Sequence, residues 1–181
     1  MTFLETRANC LINIYLPEDY LINTPNYTYV KGKVFIDIIY YNPESNYTSV
    51  TNFLTIISPA LSELFSINIT LRLTKIYYPY INSIILGKYF VAISDTNTLK
   101  HFFNSLGKPQ IYPILASVSG IRIKMYGRLL SKPFTKKNPI EVREYGIFNH
   151  TKYFLDKCDI SATNSLGTFT LYISICQRIS I

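Results

Sequence analysis

The sequence predicts an α+β fold in which a mixed or antiparallel sheet carries two helices packed on one face, after a divergent N-terminal extension. Apolar and polar residues alternate through residues 67–76 and again through 169–175, which is typical of half-buried strands. Between them lie two segments with helical spacing, 82–93 and 95–106. Strands that enclose helices in this order indicate one sheet with its helices on a single face.

The N-terminal elements are predicted from composition and turn residues. Residues 1–30 contain scattered Pro, Asn and Tyr and are predicted to be irregular. The β-branched and aromatic run KVFIDIIYY at 33–41 predicts a strand, and NPESNYT after it predicts a loop. Residues 49–66 predict a helix in which Pro59 is a break or a start.

The second half begins with the two helices. The helix at 95–106 has a capping residue, Asp95 or Thr96, at its start and Gly107 at its end. A strand follows at 121–126, where Ile, Ile and Met alternate with Arg, Lys and Tyr.

The remaining segments complete the predicted sheet. Residues 130–146 contain two prolines and several lysines and are predicted to form a basic loop. A further strand is predicted around 152–160. We therefore divide the chain into an N-terminal region, 1–65, and a second domain, 66–181.

The net charge of +7 is concentrated in the second half of the chain. Residues 1–99 carry six Lys/Arg and seven Asp/Glu, a net charge of −1, whereas residues 100–181 carry twelve and four, a net charge of +8. A basic half joined to a near-neutral half favours a polyanionic partner on one side of the molecule. The alternative is that these charges only maintain solubility.

Residues for catalysis or metal binding do not converge in the sequence. It lacks an HExxH, a GxSxG, a Walker loop and a dinucleotide fingerprint. The two histidines, His101 and His150, and the cysteines Cys10, Cys158 and Cys176 form no ligand spacing. Glu141 and Glu144 are expected to pair with Arg143 or nearby lysines. We therefore predict no enzyme activity, no metal, no cofactor and no small-molecule substrate.

A basic cluster with interleaved aromatic residues spans 121–153. Arg122 and Lys124 share one strand face about 7 Å apart, which approximates the phosphate spacing along a nucleic-acid strand. Tyr126, Phe134, Tyr145, Phe148 and Tyr153 lie between the cations and suit occasional base stacking. The predicted RNA-binding residues are Arg122, Lys124, Arg128, Lys132, Lys136, Lys137, Arg143 and Lys152. A solvated basic loop beside a core strand would give the same pattern.

An ordered set of short motifs resembles the C-terminal domain of the third small-subunit ribosomal protein family. The set comprises GRL at 127–129, KCDI at 157–160 and LGTF at 166–169. Upstream, residues 71–94 resemble mitochondrial members, in which a strand ends in a Tyr-Pro-Tyr step before an Asn-Ile-Leu helix. The resemblance covers about residues 67–175. The glycines that follow the Gly-Arg-Leu step in the family are Leu130 and Ser131 here, and the family's late Trp is absent. Bacterial members also carry an N-terminal RNA-binding domain with a GxxG loop, and residues 1–65 are divergent, with no counterpart of that loop.

The resemblance implies a place in the head of the mitochondrial small ribosomal subunit, near the messenger entry side. The implied partners are small-subunit ribosomal RNA, neighbouring head proteins (proteins ten and fourteen of the family) and messenger RNA, and no membrane is implied. The AT-codon bias, with Tyr 16 and Phe 11 against Gly 7, indicates an AT-rich genome, which is either that of a mitochondrion or an AT-rich nuclear genome. With the resemblance, we expect a mitochondrial, organelle-encoded protein of the matrix. The lack of a targeting helix at the N-terminus fits that expectation.

Two other functions remain as alternatives from the sequence. The aromatic and Ile content allows a peripheral structural subunit of a mitochondrial membrane complex, with 49–66 as an interfacial helix. That segment lacks the Lys/Arg face that such helices use. An organelle-encoded nuclease would need convergent metal-binding carboxylates, and the eleven acidic residues are dispersed.

Overall fold

The computed structural model describes residues 2–17, 19–43, 47–93, 118–127, 141–148, 153–164 and 167–178. The elements in chain order are α1 (Phe3–Tyr15), β1 (Leu21–Ile22), β2 (Asn26–Val30), β3 (Lys33–Tyr41), α2 (Tyr47–Phe65), β4 (Asn68–Ile76), a 3₁₀ turn (Pro79–Ile81), α3 (Ser83–Ile93), β5 (Val118–Gly127), β6 (Glu141–Gly146), β7 (Tyr153–Asn164) and β8 (Gly167–Arg178). The chain divides into an N-terminal unit, Met1–Tyr78, and a C-terminal unit, Pro79–Ile181. The predicted α+β class is confirmed.

Strand β3 is the centre of the sheet in the N-terminal unit. It pairs with β4 in parallel along its whole length, and with β2 and β1 in antiparallel fashion on its other edge. Parallel neighbours need a crossover, and α2 supplies it. The β2–β3 hairpin turns at Lys31 and Gly32, whose φ angles of 39° and 78° are those of a two-residue type I′ turn.

Helices α1 and α2 contribute the rest of the N-terminal core. The prediction that residues 1–30 are irregular is wrong, because α1 begins there with a capping box. Thr2 N donates to Glu5 Oε2 at 2.7 Å, and Glu5 N donates to Thr2 Oγ1 at 3.3 Å. The helix predicted at 49–66 is confirmed, and Pro59 lies inside it rather than at a break. Ile57 and Leu61 of α2 are fully buried in this core.

Strand β4 belongs to the N-terminal unit, although we placed it in the second domain from the sequence. All nine of its residues pair with β3, while β5 to β8 form a separate sheet. The boundary between the two compact units therefore lies between Tyr78 and Pro79 in the chain rather than after residue 65. The half-buried alternation predicted for this strand is present, with Ile69, Leu71 and Leu73 against the core.

The C-terminal sheet is antiparallel, with the strand order β6-β5-β8-β7. Strands predicted at 121–126, 152–160 and 169–175 are confirmed. The prediction of a loop over 130–146 is wrong for residues 141–146, which form edge strand β6. The central strands β5 and β8 pair along nearly their whole length. Their register therefore determines which side chains lie next to each other on each face of the sheet.

One face of the C-terminal sheet packs against α3. The fully buried residues of this core are Leu86, Phe90, Ile123, Leu171 and Ile175, with their neighbours on β5 and β8. Burial of each such side chain stabilises the fold by about 1.5–3 kcal/mol. The second predicted helix, 95–106, lies outside the described residues.

The start and the middle of α3 explain its position. Asn82 Oδ1 accepts hydrogen bonds from the Ile84 and Ile85 amides, and Asp156 Oδ2 on β7 accepts one from the Ser83 amide at 2.8 Å. Gly87 lies so close to the sheet that a Cβ atom there would be 2.5 Å from Ile160 Cδ1. The helix is thus fixed on one face and leaves the opposite face of the sheet uncovered by α3. None of the helices within the described ranges is long and apolar enough to cross a membrane.

Candidate nucleic-acid interface

The face of the C-terminal sheet opposite α3 is called here the open face. Residues that pair directly across antiparallel strands lie on the same face. On β5 the buried residues Ile121, Ile123 and Met125 alternate with Arg122, Lys124 and Tyr126, so the latter three define the open face. Their pairing partners continue it across β6, β8 and β7 as three rows of side chains.

The first row contains an ion pair between Arg122 and Glu144. Arg122 Nε is 2.6 Å from Glu144 Oε1, and Nη2 donates to Oε2 at 3.3 Å. The guanidinium also lies over the ring of Phe148, 4.4 Å from its centroid. Ser174 and Lys157 complete the row on β8 and β7. The charge of Arg122 is therefore largely compensated by Glu144, for which the sequence predicts pairing with Arg143 or nearby lysines.

Two glycines make the position of Phe148 possible. Gly120 and Gly146 are directly paired at the end of the β5–β6 ladder. A Cβ on Gly120 would be 3.1 Å from Phe148 Cε2. Gly146 has a φ of 82°, and the chain after it is held by a hydrogen bond from Ile147 N to Ser119 O at 3.0 Å. The absence of side chains here lets the Phe148 ring reach the open face beside Arg122.

The second row crosses all four strands and differs chemically from the first. It contains Val142, Lys124, Tyr172 and Asp159, in the order β6, β5, β8 and β7. Tyr172 is 46% exposed, and its ring is 5.2 Å from that of Tyr126 at an interplanar angle of 76°. This row combines a cation, an exposed aromatic ring and a carboxylate on neighbouring strands.

The third row is mainly polar. Tyr126 pairs with Thr170, and Thr170 pairs with Ser161. The hydroxyls of Ser161 and Thr170 are 2.9 Å apart and hydrogen-bonded. The open face therefore offers hydroxyls, two tyrosine rings and charges of both signs.

The structure brings together only some of the predicted RNA-binding residues. Arg122 and Lys124 share the open face, as predicted from their separation by two residues on one strand. Arg143 pairs with Ile123 and therefore lies on the opposite side of the sheet. The others, Arg128, Lys132, Lys136, Lys137 and Lys152, lie outside the described residues, as do Phe134, His101 and His150.

Three residues of the open face are absent from the set predicted from the sequence, namely Lys157, Asp159 and Tyr172. All three belong to strands that the sequence predicts, and they alternate with inward-facing residues. The alternation of side chains along β7 and β8 is the sequence signal that could have identified them. Alternation alone does not show which of the two faces is buried, because that depends on how the strands pair.

No group of three or more His, Cys, Asp or Glu side chains within the described ranges could hold a metal ion. The Cys158 thiol donates to the Ser83 carbonyl at 3.1 Å, and burial raises the pKa of this thiol to about 11. Cys158 therefore stays protonated at neutral pH and contributes to packing rather than acting as a nucleophile.

The sequence was compared with models of protein families and with known proteins. The family model described as "Mitochondrial ribosomal protein (VAR1)" matches residues 20–178. The chain belongs to this mitochondrial ribosomal protein family. The small ribosomal subunit protein uS3m of Mycosarcoma maydis is 28% identical over 183 residues, which cover 88% of this chain and 69% of that protein. The resemblance drawn from residues 67–175 is thereby confirmed, and the chain is a ribosomal protein that works in mitochondria.

Proposed function

We propose that this member of the mitochondrial ribosomal protein family is a structural constituent of the small subunit. In this proposal it binds ribosomal RNA of the head near the messenger entry side. The observation that carries the proposal is the likeness to uS3m over most of the chain. It is supported by the uneven charge of the two units. The N-terminal unit has five Lys/Arg and six Asp/Glu, whereas the C-terminal unit has thirteen and five.

The RNA contacts in this proposal come from the C-terminal unit. Lys124 lies on the open face, while Arg122 is held by Glu144 and Phe148 in a fixed orientation that leaves its side chain 34% exposed. Arg128 follows directly after β5, and the chain returns at Glu141, which pairs with Met125. The basic segment that carries Lys132, Lys136 and Lys137 lies between β5 and β6 in the sequence. In this proposal its cations neutralise phosphates and fix orientation without reading sequence.

The N-terminal unit is proposed to contact proteins rather than RNA. Phe3 and Ile14 of α1 are 71% and 73% exposed, and Leu4 and Tyr15 beside them are exposed as well. The unit carries a net charge of −1, so it has little attraction for a polyanion. Exposed apolar residues of this kind suit a neighbouring ribosomal protein. The family resemblance makes head proteins ten and fourteen the candidates.

Two further parts of the proposal rest on the resemblance and on composition. The position near the messenger entry side would bring messenger RNA close to this protein. The AT-codon bias supports synthesis from the organelle genome.

The membrane-complex alternative is disfavoured by the packing of α2. The apolar residues of this helix that an interfacial helix would insert into lipid, Phe53, Ile57, Leu61 and Phe65, are buried in the core of the N-terminal unit. The last turn of α2 carries no basic residue. A helix whose apolar stripe is already covered has little left to bind a membrane surface.

Charge removal in the C-terminal unit tests the RNA contacts. Lys124→Gln combined with Arg128→Gln removes two cations, and Lys31→Gln combined with Lys33→Gln removes two exposed cations from the N-terminal unit as a matched control. Each lost phosphate contact reduces the slope of log K against log salt by about 0.7–0.9. We expect the first pair, and not the control pair, to weaken assembly into the small subunit and to reduce its salt sensitivity. Equal assembly of both double variants would show that Lys124 and Arg128 are not anchors.

A further inference from the structure

The second row of the open face places three different chemistries on neighbouring strands. Lys124 on β5 pairs directly with Tyr172 on β8, which pairs directly with Asp159 on β7. Directly paired residues are roughly 5 Å apart. Tyr172 and Asp159 are exposed and Lys124 is half-buried. A flat aromatic ring therefore lies between a cation and a carboxylate, and all three are accessible from the same side.

The position of the rings within the sheet is the one that suits nucleobases. Tyr126 and Tyr172 lie on the two central strands of a four-stranded antiparallel sheet whose other face is packed against a helix. Aromatic side chains on the central strands of such a sheet stack bases of single-stranded RNA. The angle of 76° between the rings lets a base stack on one ring while its edge meets the other.

The charges on either side of Tyr172 set the orientation of a bound nucleotide. The ammonium group of Lys124 attracts a phosphate, whereas the carboxylate of Asp159 repels it. A carboxylate has only acceptors, so it pairs with a base that offers a hydrogen-bond donor, such as an exocyclic amino group. Uracil has no amino group, while adenine, cytosine and guanine have one.

From this arrangement we infer that the second row binds one unpaired RNA nucleotide whose base carries an exocyclic amino group. The base stacks on Tyr172, its amino group donates to Asp159, and its phosphate lies against Lys124. The inference rests on the proposed RNA-binding function and adds a class of nucleotide to it.

The surroundings of the row favour a nucleotide over a protein partner. The adjoining rows contain the hydroxyl residues Ser161, Thr170 and Ser174 on β7 and β8, beside the charged residues Arg122, Glu144 and Lys157 and the ring of Tyr126. An apolar protein surface pressed on this face would bury Lys124 and Asp159 without matched partners, which is costly. A nucleotide satisfies both charges and the ring together.

The experiment uses small subunits isolated from mitochondria that express the full-length chain or a variant. Acylation of ribosomal RNA 2′-hydroxyls reports the mobility of each nucleotide. Loss of one stacked ring weakens binding of its base roughly 5- to 150-fold. We therefore expect Tyr172→Ala to make one or two unpaired nucleotides reactive, and Asp159→Asn to do so more weakly. Tyr172→Phe keeps the stacking face and should preserve protection, and Tyr29→Ala, at a 53% exposed tyrosine of the N-terminal unit, is the matched control.

Ultraviolet crosslinking of the unmodified subunit provides a second measurement that does not depend on the folding of any variant. An adenine, cytosine or guanine adduct on the peptide that contains Tyr172 supports the inference, and a uridine adduct there contradicts it. Normal association with ribosomal RNA, with no reactive nucleotide in Tyr172→Ala and no adduct, overturns the inference and leaves the proposed function intact. Crosslinks from this peptide to a protein alone overturn it as well. Failure of the unmodified chain to associate with ribosomal RNA would instead refute the proposed function.

Discussion

Two glycines with nearly the same φ angle should respond very differently to substitution by alanine. Gly32 has a φ of 78° and no atom within 4 Å of an added Cβ, whereas Gly146 has a φ of 82° and its added Cβ would lie 2.1 Å from Ser119 O. Both alanines incur the cost of a left-handed backbone, about 1–2 kcal/mol. The comparison therefore separates the conformational cost from the cost of crowding.

The crowding at Gly146 comes from backbone, which has little freedom to move. The added Cβ would also be 2.9 Å from Gly120 Cα, so β5 and β6 must separate by about 1 Å to relieve both contacts. Overpacking costs about 1–3 kcal/mol, and loss of the hydrogen bond from Ile147 N to Ser119 O costs about 1 kcal/mol more. We expect Gly146→Ala to destabilise β6 by about 3–6 kcal/mol and Gly32→Ala to destabilise its hairpin by only about 1–2 kcal/mol.

Native-state hydrogen exchange of the purified full-length chain measures both effects locally. Strand β6 is at the edge of its sheet and can detach without global unfolding, so the change is expected first in its own amides. Peptides from β6 and from the β2–β3 hairpin are each compared with the unmodified chain. If the two variants lose protection by the same free energy, the close contact at Gly146 has no energetic consequence and the reasoning fails.

Three further predictions concern a helix cap, the cysteines and a proline. Thr2 N and the Tyr29 hydroxyl donate to the Glu5 carboxylate, and these contacts keep the pKa of Glu5 below its ordinary value of 4.5. Their stabilisation is present above that value and lost as the pH falls through the lowered pKa, so acid titration of unfolding should show a component that Glu5→Gln lacks. At pH 8 iodoacetamide should label the exposed Cys10 and spare Cys158 and the buried Cys176, and mass spectrometry showing rapid labelling of either spared residue in the native chain would contradict the packing described. Pro59 lies inside α2, where proline costs about 3 kcal/mol relative to alanine in an unadapted helix. Pro59→Ala should therefore raise the thermal midpoint of the N-terminal unit, and a lower midpoint would mean that α2 is bent to fit proline.

Most strands could be predicted because burial on one side leaves a period of two in the sequence. Strands β4, β5 and β8 follow that pattern, with buried or half-buried residues at alternate positions. Strand β6 lacks it, since Val142 to Gly146 are all exposed on an edge strand. Its lysine- and proline-rich neighbourhood then resembled a loop. No local pattern distinguishes an exposed edge strand from an irregular segment.

Helix α1 was missed for a different reason. Only Ala8 and Ile12 of this helix are buried. Phe3 and Ile14 are apolar but exposed, so the apolar residues of the sequence do not fall on one face of the helix. The signal that could have found it is the capping box of Thr2 and Glu5. The assignment of β4 to the wrong domain has another cause. Its pairing with β3 is long-range and parallel, and a local pattern contains no information on which strand a strand joins.

The part of the candidate site that lies on a single strand could be predicted, because side chains alternate between the two faces along a strand. The shared face of Arg122 and Lys124 follows from their separation by two residues. The register of β6 decides the rest, because it puts Glu144 beside Arg122 and Arg143 on the other face. Register across strands is fixed by tertiary packing. The compensated charge of Arg122 and the row that contains Tyr172 therefore required the structure.

The central claim, a mitochondrial small-subunit protein held by ribosomal RNA, is tested most directly by sedimentation. A mitochondrial lysate is resolved on a sucrose gradient at high salt, with and without RNase, and the chain is followed through the fractions. The account predicts that it migrates with small-subunit ribosomal RNA and that RNase releases it. Migration with a membrane complex that RNase does not change would contradict the account.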